Sequence, residues 1–243
     1  MMNGTATDQT LLQIVTAAAR TTISEVINVM LSIDGVLPNH DGLKWFNFLY
    51  LMVTKEVRDH PPADGWKDAQ WITQLDIVFA NFYFAAIANF LGQRAATPSS
   101  WQALFEARHR AGIDRIQFAL AGMNAHINHD LSLALLQTDA ELDMIPTLKS
   151  PEHEDFEHIN NLLEAVLPRA LEFLATGMLG EVVQDTGKIG RLLAIWNVRV
   201  ARDLAWDFAD HLHHLAGLAR NVALIGQDKL TGALGRSLLL PLQ

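Results

Sequence analysis

Apolar residues recur at three- and four-residue intervals along almost the whole chain, which is the pattern of amphipathic helices. Turn-rich stretches interrupt it: DGVLPNHDG at 34–42, DHPPADG at 59–65 and ATPSS at 96–100, the last of which offers an N-cap for the next helix. No alternating strand pattern of useful length and no fixed repeat is present. The pattern predicts helices over residues 9–33, 43–58, 66–93, 100–108, 112–137, 151–175, 188–217 and 227–239.

The composition is that of a chain with a large core. Of its 243 residues, 50% are hydrophobic and only 19% are charged. A chain of this kind can bury enough apolar surface to fold as one unit. We therefore expect a single all-α domain of seven or eight helices around a central polar pocket, with a flexible N-terminus at residues 1–8 and an acidic connecting loop at residues 138–151.

Charge and cysteine content exclude several classes of function. The formal net charge is −9 with no run of Lys or Arg, which argues against nucleic-acid binding. The absence of cysteine excludes disulfides, a thiol nucleophile and thiolate metal sites. The opening MMNGTATDQT does not resemble a secretory signal, and the longest apolar tract, at 78–91, is too short to span a bilayer. We expect a cytoplasmic protein without a membrane span, with a small and largely apolar substrate; a homodimer is one open alternative.

Histidines and acids occur together at helical spacing in three segments. His126 and Asp130 in AGMNAHINHDL are four residues apart and share one helix face, which His129 joins. Imidazole and carboxylate at this spacing converge on one point, as a divalent ion requires. They also suit acid–base chemistry without a metal, or a purely structural pair. The metal interpretation predicts a zinc, iron or manganese site formed by His126, Asp130, Asp155, His158, Asp207 and His211.

Two established metal motifs fail on spacing. In PEHEDFEHIN, His158 follows His153 by five positions and points about 140° away from it on a helix, so H-E-x-x-H is not present. Di-iron bundles use Glu-x-x-His, whereas this chain has Asp-x-x-His at Asp155 and Asp210. No G-x-S-x-G, Walker or dinucleotide motif occurs. Known motifs therefore do not identify a reaction.

Asp76 is a lone acid in the apolar segment WITQLDIVFANFYF. A carboxylate in such surroundings must be paired or have a perturbed pKa. Its two interpretations are a salt bridge to Arg199 or Arg202 and a catalytic role.

Other polar residues in apolar surroundings have both a structural and a functional interpretation. Asn124 and Asn128 form a second polar stripe that either satisfies a backbone segment or orients a substrate. Arg202 lies four residues before Trp206, so it either packs on that ring or binds an anion. Tyr50 follows the turn that contains Asp34, His40 and Asp41, and turn chemistry explains the acids well.

Five segments together resemble a bacterial helical family known as a domain of unknown function: IDGVLPNHDGLKWFNFLYLMVT, LDIVFANFYFAAI, QFALAGMNAHINHDL, DFEHINNLL and ARDLAWDFA. The resemblance covers about residues 25–210 and implies one intact domain. It leaves His129, His213 and His214 outside the family's pattern. The landmarks that it implies are Asp76, Asn124, His126, Asp130, Asn160, Arg202 and Trp206.

A looser similarity links the chain to zinc-dependent phospholipase C and the single-strand nucleases of the same helical fold. Their H-x-x-x-D and H-x-x-x-E pairs have counterparts at His126–Asp130 and His153–Glu157. Those enzymes also use an N-terminal Trp and are exported, features without a clear match here. The similarity implies metal-dependent hydrolysis.

Taken together, the sequence predicts an enzyme, first of all a metal-dependent hydrolase of an ester-like or phosphoester substrate. One alternative is a metal-free cyclase, lyase or isomerase of an apolar metabolite, in which Asp130 makes His126 basic and Arg202 or Asn124 stabilises an oxyanion. Others are a helical protein that binds haem or an apolar ligand, and a purely structural bundle. The predicted catalytic residues are Asp76, Asn124, His126, Asp130 and Arg202, and the predicted substrate-binding residues are Asn128, Asn160, Trp206 and Tyr50.

Overall fold

A computed structural model describes residues 5–17, 20–93, 95–176 and 197–241. No strand occurs in these ranges, and since α6, a π segment and α7 follow one another without a break, they contain nine helices. The all-α prediction is confirmed, and the predicted number of helices is close. The elements are α1 (Ala6–Thr16), α2 (Ile23–Val36), α3 (Gly42–Asp59), α4 (Ala69–Gly92), α5 (Ser99–Ala107), α6 (Arg115–Ala125), the π segment (His126–Asp130), α7 (Leu131–Leu142), α8 (Pro151–Thr176), α9 (Val198–His213) and α10 (Gly217–Leu238).

One apolar core joins the helices into a single domain. Its largest fully buried side chains include Trp71, Tyr83, Trp101, Phe46 and Phe156, which come from four of the helices. Each aromatic ring removes a large apolar area from water, and burial of this kind is the main favourable term in folding. The centre of the core is therefore built from α3, α4, α5 and α8.

The first predicted helix, 9–33, is two helices. The side chain of Thr22 accepts a hydrogen bond from the backbone N–H of Glu25, whose carboxylate accepts one from the backbone N–H of Thr22. This capping box starts α2, and its Thr-x-x-Glu pattern is visible in the sequence. A similar box at Thr5 starts α1 at Ala6, so this helix begins within the N-terminus predicted to be flexible.

The second half of the chain also departs from the prediction. Helix α7 continues to Leu142 and is closed by Asp143 in the left-handed conformation (φ 53°), so the loop predicted for 138–151 begins later. The predicted helix 188–217 lies partly outside the described residues, and α9 is its described part. The predicted piece 227–239 is the end of a 22-residue helix, α10, which begins at Gly217. Leu218, in the first turn of α10, is 79% exposed, and this exposed apolar residue obscures the amphipathic pattern at the start of the helix.

A distant residue caps helix α5. Pro98 occupies the N-cap position and supplies no side-chain hydrogen bond, contrary to the expectation for ATPSS. Instead, the Asp228 carboxylate on α10 accepts hydrogen bonds from the backbone N–H groups of Ser99 and Ser100, both at 2.9 Å. Because the cap comes from α10, it also fixes the packing of α10 against α5.

Helix α4 alone among the described helices is long and apolar enough to cross a membrane. Half of its most apolar window is buried inside the fold. Helix α4 packs against α1, α7 and α8. Its Asp76 is half-buried.

Close packing of α6 on α3 brings the π segment to the core. Gly122 lies against the ring of Phe46, and a Cβ atom at this position would overlap that ring. The glycine thus allows the two helix backbones to approach closely. As a result, His126, one turn further along, is surrounded by side chains of α3, α4 and α5.

Candidate active site

A cavity of about 60 Å³ lies between α3, α4, the π segment, α8 and α9. This is room for a few water molecules or a small organic group. Its polar lining consists of Tyr50, Thr54, Asp76, His126 and Arg202. The rest of the wall is apolar: Phe46, Leu49, Val53, Val57, Leu75, Phe79, Met123, Ile127, Leu131, Ile159 and Leu163.

The polar segment HINHD forms the one π-helical turn within the described residues. The backbone N–H of Leu131 donates to the carbonyl oxygen of His126, five residues earlier, instead of four as in an α-helix. Such turns are rare and occur frequently at functional sites. The turn places His126 and Asp130 on the same face, as the sequence predicts.

His126 and Asp130 form a buried pair. His126 Nδ1 lies 2.9 Å from Asp130 Oδ2, and Trp101 Nε1 donates to the same oxygen at 2.8 Å. The ring of Phe79 lies parallel to the imidazole, with 3.5 Å between the ring centroids. These contacts fix the orientation of the imidazole. Its other nitrogen, Nε2, is buried and has no hydrogen-bond partner.

Burial changes the proton affinity of both members of the pair. It lowers the pKa of His126 well below its ordinary value and raises the pKa of Asp130 well above its ordinary value. An imidazolium–carboxylate pair is therefore disfavoured. With Asp130 ionised, Nδ1–H donates to Oδ2 and Nε2 carries a lone pair. With one more proton, the Asp130 hydroxyl donates to Nδ1 and Nε2 carries a hydrogen. The pair can thus accept or release a proton at Nε2 without forming a buried cation.

Asp76 is the second titratable group of the cavity. Burial raises its pKa to about 7, although the positive charge of Arg202 acts in the opposite direction. Within the described ranges, no hydrogen bond or ion pair reaches its carboxylate. A carboxyl group of this kind changes its protonation state near neutral pH.

Arg202 is a buried cation held by two oxygen atoms. Its Nε donates to Asn160 Oδ1 at 2.7 Å and its Nη2 to the carbonyl oxygen of Phe156 at 2.9 Å. Its Nη1 donates no hydrogen bond to any described residue. Burial lowers the pKa of Arg202 to about 10, so the guanidinium is still charged at neutral pH. Asn160 therefore acts by positioning Arg202.

The predicted salt bridges of Asp76 are not formed. Arg199 instead pairs with Glu157 and Glu164, at 3.1 and 3.0 Å. Arg202 affects Asp76 electrostatically, but its nitrogens are not within ion-pair distance of the carboxylate. Both residues line the cavity.

The structure does not bring the six predicted metal ligands together. Asp155 accepts hydrogen bonds from the backbone N–H groups of Lys67 and Asp68, at 2.9 and 2.7 Å, and so fixes the segment that precedes α4. Asp207 and His211 are exposed on α9. No group of three or more His, Asp or Glu residues in the described part of the chain could hold an ion. A metal at this site is not supported by the donor set.

Three other predicted site residues have structural contacts outside the cavity. Asn128 Nδ2 donates to Asn124 Oδ1 at 3.0 Å, and Asn124 Nδ2 donates to the carbonyl oxygen of Thr231 at 2.9 Å. This chain of bonds ties the π segment to α10. The ring of Trp206 packs against Phe156, with 5.0 Å between the centroids. Tyr50, by contrast, borders the cavity, and its ring centroid lies 4.5 Å from that of His126.

Residues 23–241 match the sequence profile of a family of unknown function, DUF5995. The chain belongs to this family. The predicted resemblance to an uncharacterised helical family is confirmed. No curated protein and no solved structure matches the chain, so the looser similarity to zinc-dependent phospholipase C has no support.

Some residues of this DUF5995 site were not predicted from the sequence. Phe79 follows Asp76 by three positions, and that spacing could have placed it on the same helix face. The sequence does not indicate that Trp101 belongs to the site, because its hydrogen bond to Asp130 joins two different helices. Thr54 lies four residues after Tyr50, but hydroxyl groups at this spacing are common in helices.

Proposed function

We propose that the central cavity is the active site of a metal-free acid–base enzyme, an isomerase or lyase that moves a proton on a small and largely apolar carbonyl compound. The main support is Asp76, a carboxyl group with a pKa of about 7 that no described residue pairs, on the wall of a mostly apolar cavity. A general base of this strength is partly ionised at neutral pH and is also acidic enough to return the proton.

In this proposal, Asp76 removes a proton from the carbon next to the carbonyl group. The C–H electron pair forms the new C=C bond, and negative charge develops on the carbonyl oxygen. Arg202 lines the cavity, and its Nη1, which donates to no described residue, donates a hydrogen bond to this oxygen. The surrounding apolar side chains exclude water and so strengthen the interaction.

The His126–Asp130 pair supplies the second proton transfer. Nε2–H protonates another atom of the substrate, and Nδ1 takes the proton of the Asp130 carboxyl in the same step. If the acceptor is a carbon atom, the result is isomerisation; if it is a departing hydroxyl group, the result is elimination of water. Proton exchange with solvent then returns Asp76 and the pair to their starting states.

The geometry gives less support to the other functions predicted from the sequence. The donor set for a metal-dependent hydrolase is dispersed, because the Asp155 carboxylate binds the backbone before α4 and Asp207 is exposed. The cavity of about 60 Å³ is also small beside the roughly 300–1,000 Å³ of pockets that hold drug-sized ligands, and haem is larger still. A small substrate with one polar end fits it best.

Proton exchange in deuterated water tests the proposal before the natural substrate is known. Proton NMR would follow the loss of signals next to the carbonyl group in a panel of small ketones, aldehydes and enones. We expect the wild type to accelerate exchange for at least one compound, and Asp76→Asn to lower this rate by about 100-fold or more, since it cannot accept the proton.

Two controls make the experiment specific. Asp155→Asn changes another buried carboxylate that does not border the cavity, and it should leave exchange unchanged. Elemental analysis of protein purified without a histidine tag, for the wild type and His126→Ala, separates this function from a metalloenzyme. Equal exchange by the wild type and Asp76→Asn, or stoichiometric metal that His126→Ala loses, would contradict the proposal.

A further inference from the structure

A second pair of histidine and acid lies on the wall of a separate, open cleft. His213 Nε2 on α9 is 3.0 Å from Asp139 Oδ2 on α7. The other oxygen of Asp139 accepts a hydrogen bond from Trp71 Nε1, also at 3.0 Å. The sequence placed Asp210 at helical spacing from His213, but the contact comes from another helix. Asp139 is 5% exposed and both of its oxygens are engaged, so it holds the His213 ring in one orientation.

The cleft has a volume of about 400 Å³ and lies between the end of α7 and the start of α10. Two more charged residues line it, Asp143 after α7 and Arg220 in the first turns of α10. Neither makes an ion pair with the other or with any described residue. The apolar part of the lining consists of Leu136, Ala140, Met144 and Ile145.

The polar residues of this cleft divide into a hydrogen-bonded pair and two charged groups that no described residue pairs. Asp139 and His213 form the hydrogen-bonded pair. Asp143 and Arg220 are left as one anion and one cation at the same cleft. A ligand with one positive group, one negative group and an apolar side chain would complement all three features.

We propose that this cleft binds a free apolar α-amino acid, such as leucine or methionine. The ligand carboxylate would bind Arg220, whose planar guanidinium matches a carboxylate with two parallel hydrogen bonds. The ligand ammonium group would bind Asp143. The side chain would lie on Met144 and Ile145, the latter of which is 60% exposed. His213 forms the adjacent wall and reports on occupancy.

L-Leucine and two analogues distinguish a free amino acid from a peptide end. Leucinamide lacks the carboxylate, and N-acetyl-leucine lacks the ammonium group. Calorimetry and the imidazole NMR signals of His213 would be followed as each of the three compounds is added. We expect leucine to move the His213 signals and to bind at least about tenfold more tightly than either analogue, because each analogue loses one charged contact.

Matched variants test the two free charges. Arg220→Gln and Asp143→Asn should each weaken leucine binding by about tenfold or more. Both leave Asp139, Trp71 and His213 unchanged, so the fold and the reporter should persist. The exposed Glu141→Gln, which does not line the cleft, is the control that should bind as the wild type does. The inference fails if millimolar leucine leaves His213 unmoved, if either analogue binds equally well, or if both charge variants bind like the wild type.

Discussion

Asp76→Asn is expected to be more stable than the wild type at about pH 8. Burial raises the pKa of Asp76 from 3.8 to about 7. Between these values the folded protein holds a proton that the unfolded chain has released, so the free energy of unfolding falls as pH rises. The stability of the protonated form is fully present below about pH 4 and is lost as pH rises through about 7.

Asparagine resembles the protonated carboxyl group and does not ionise. The stability advantage of Asp76→Asn should therefore grow by roughly 2 to 3 kcal/mol between about pH 5 and about pH 8. This figure already includes the attraction between the Asp76 carboxylate and Arg202, because the positive charge of Arg202 lowers the pKa of Asp76. Urea unfolding of both proteins across this range measures the effect, with Asp155→Asn as the control. A difference that stays constant with pH would show that Asp76 is not buried as an acid.

A gain in stability together with a loss of activity would identify Asp76 as a functional residue. Groups that destabilise the folded state are retained where activity requires them, and their removal commonly stabilises a protein. The same substitution thus tests the structure and the proposed function by two independent measurements.

Asp130→Ala is expected to lower the free energy of unfolding by about 3 to 5 kcal/mol. The substitution leaves Trp101 Nε1 and His126 Nδ1 buried without an acceptor. An unsatisfied buried donor costs about 1 to 3 kcal/mol, and the cavity left by the side chain adds to this. Urea or thermal unfolding would show the loss directly.

Asp130→Asn separates the structural role of this residue from its role in proton transfer. The amide oxygen can take the place of Oδ2 and accept both hydrogen bonds, so most of the stability should remain. The amide has no carboxyl proton to give to Nδ1, so formation of the isomerised or dehydrated product should fall by about 100-fold. Equal loss of stability in both variants would contradict the proposed geometry, and unchanged product formation by a stable Asp130→Asn would contradict proton transfer through the pair.

The helices and the central polar residues could be predicted because both depend on local spacing. The three- and four-residue period places apolar side chains on one face, and the same period pairs His126 with Asp130. Asp76 was recognisable as the lone acid of an apolar segment. These features need no knowledge of how the helices are arranged.

The partners across helices could not be predicted in this way. Spacing indicates which residues share a face of one helix, but it does not indicate which faces meet. Asp155 therefore looked like a metal ligand, although its oxygens bind backbone N–H groups more than 80 residues earlier in the chain. For the same reason, spacing could not predict the hydrogen bond from Trp101 to Asp130 or the pairing of His213 with Asp139.

The protonation of Asp76 tests the central claim most directly. Carbon-13 NMR of the aspartate side chains, with Asp76→Asn used to assign the signal, gives the pKa of this carboxyl group in the folded protein. We predict a value of about 7, in an apolar cavity where Arg202 is the charge that lowers it. A value near the ordinary one of about 4 would mean that Asp76 is ionised throughout the physiological range, and it would contradict an acid–base role for this cavity.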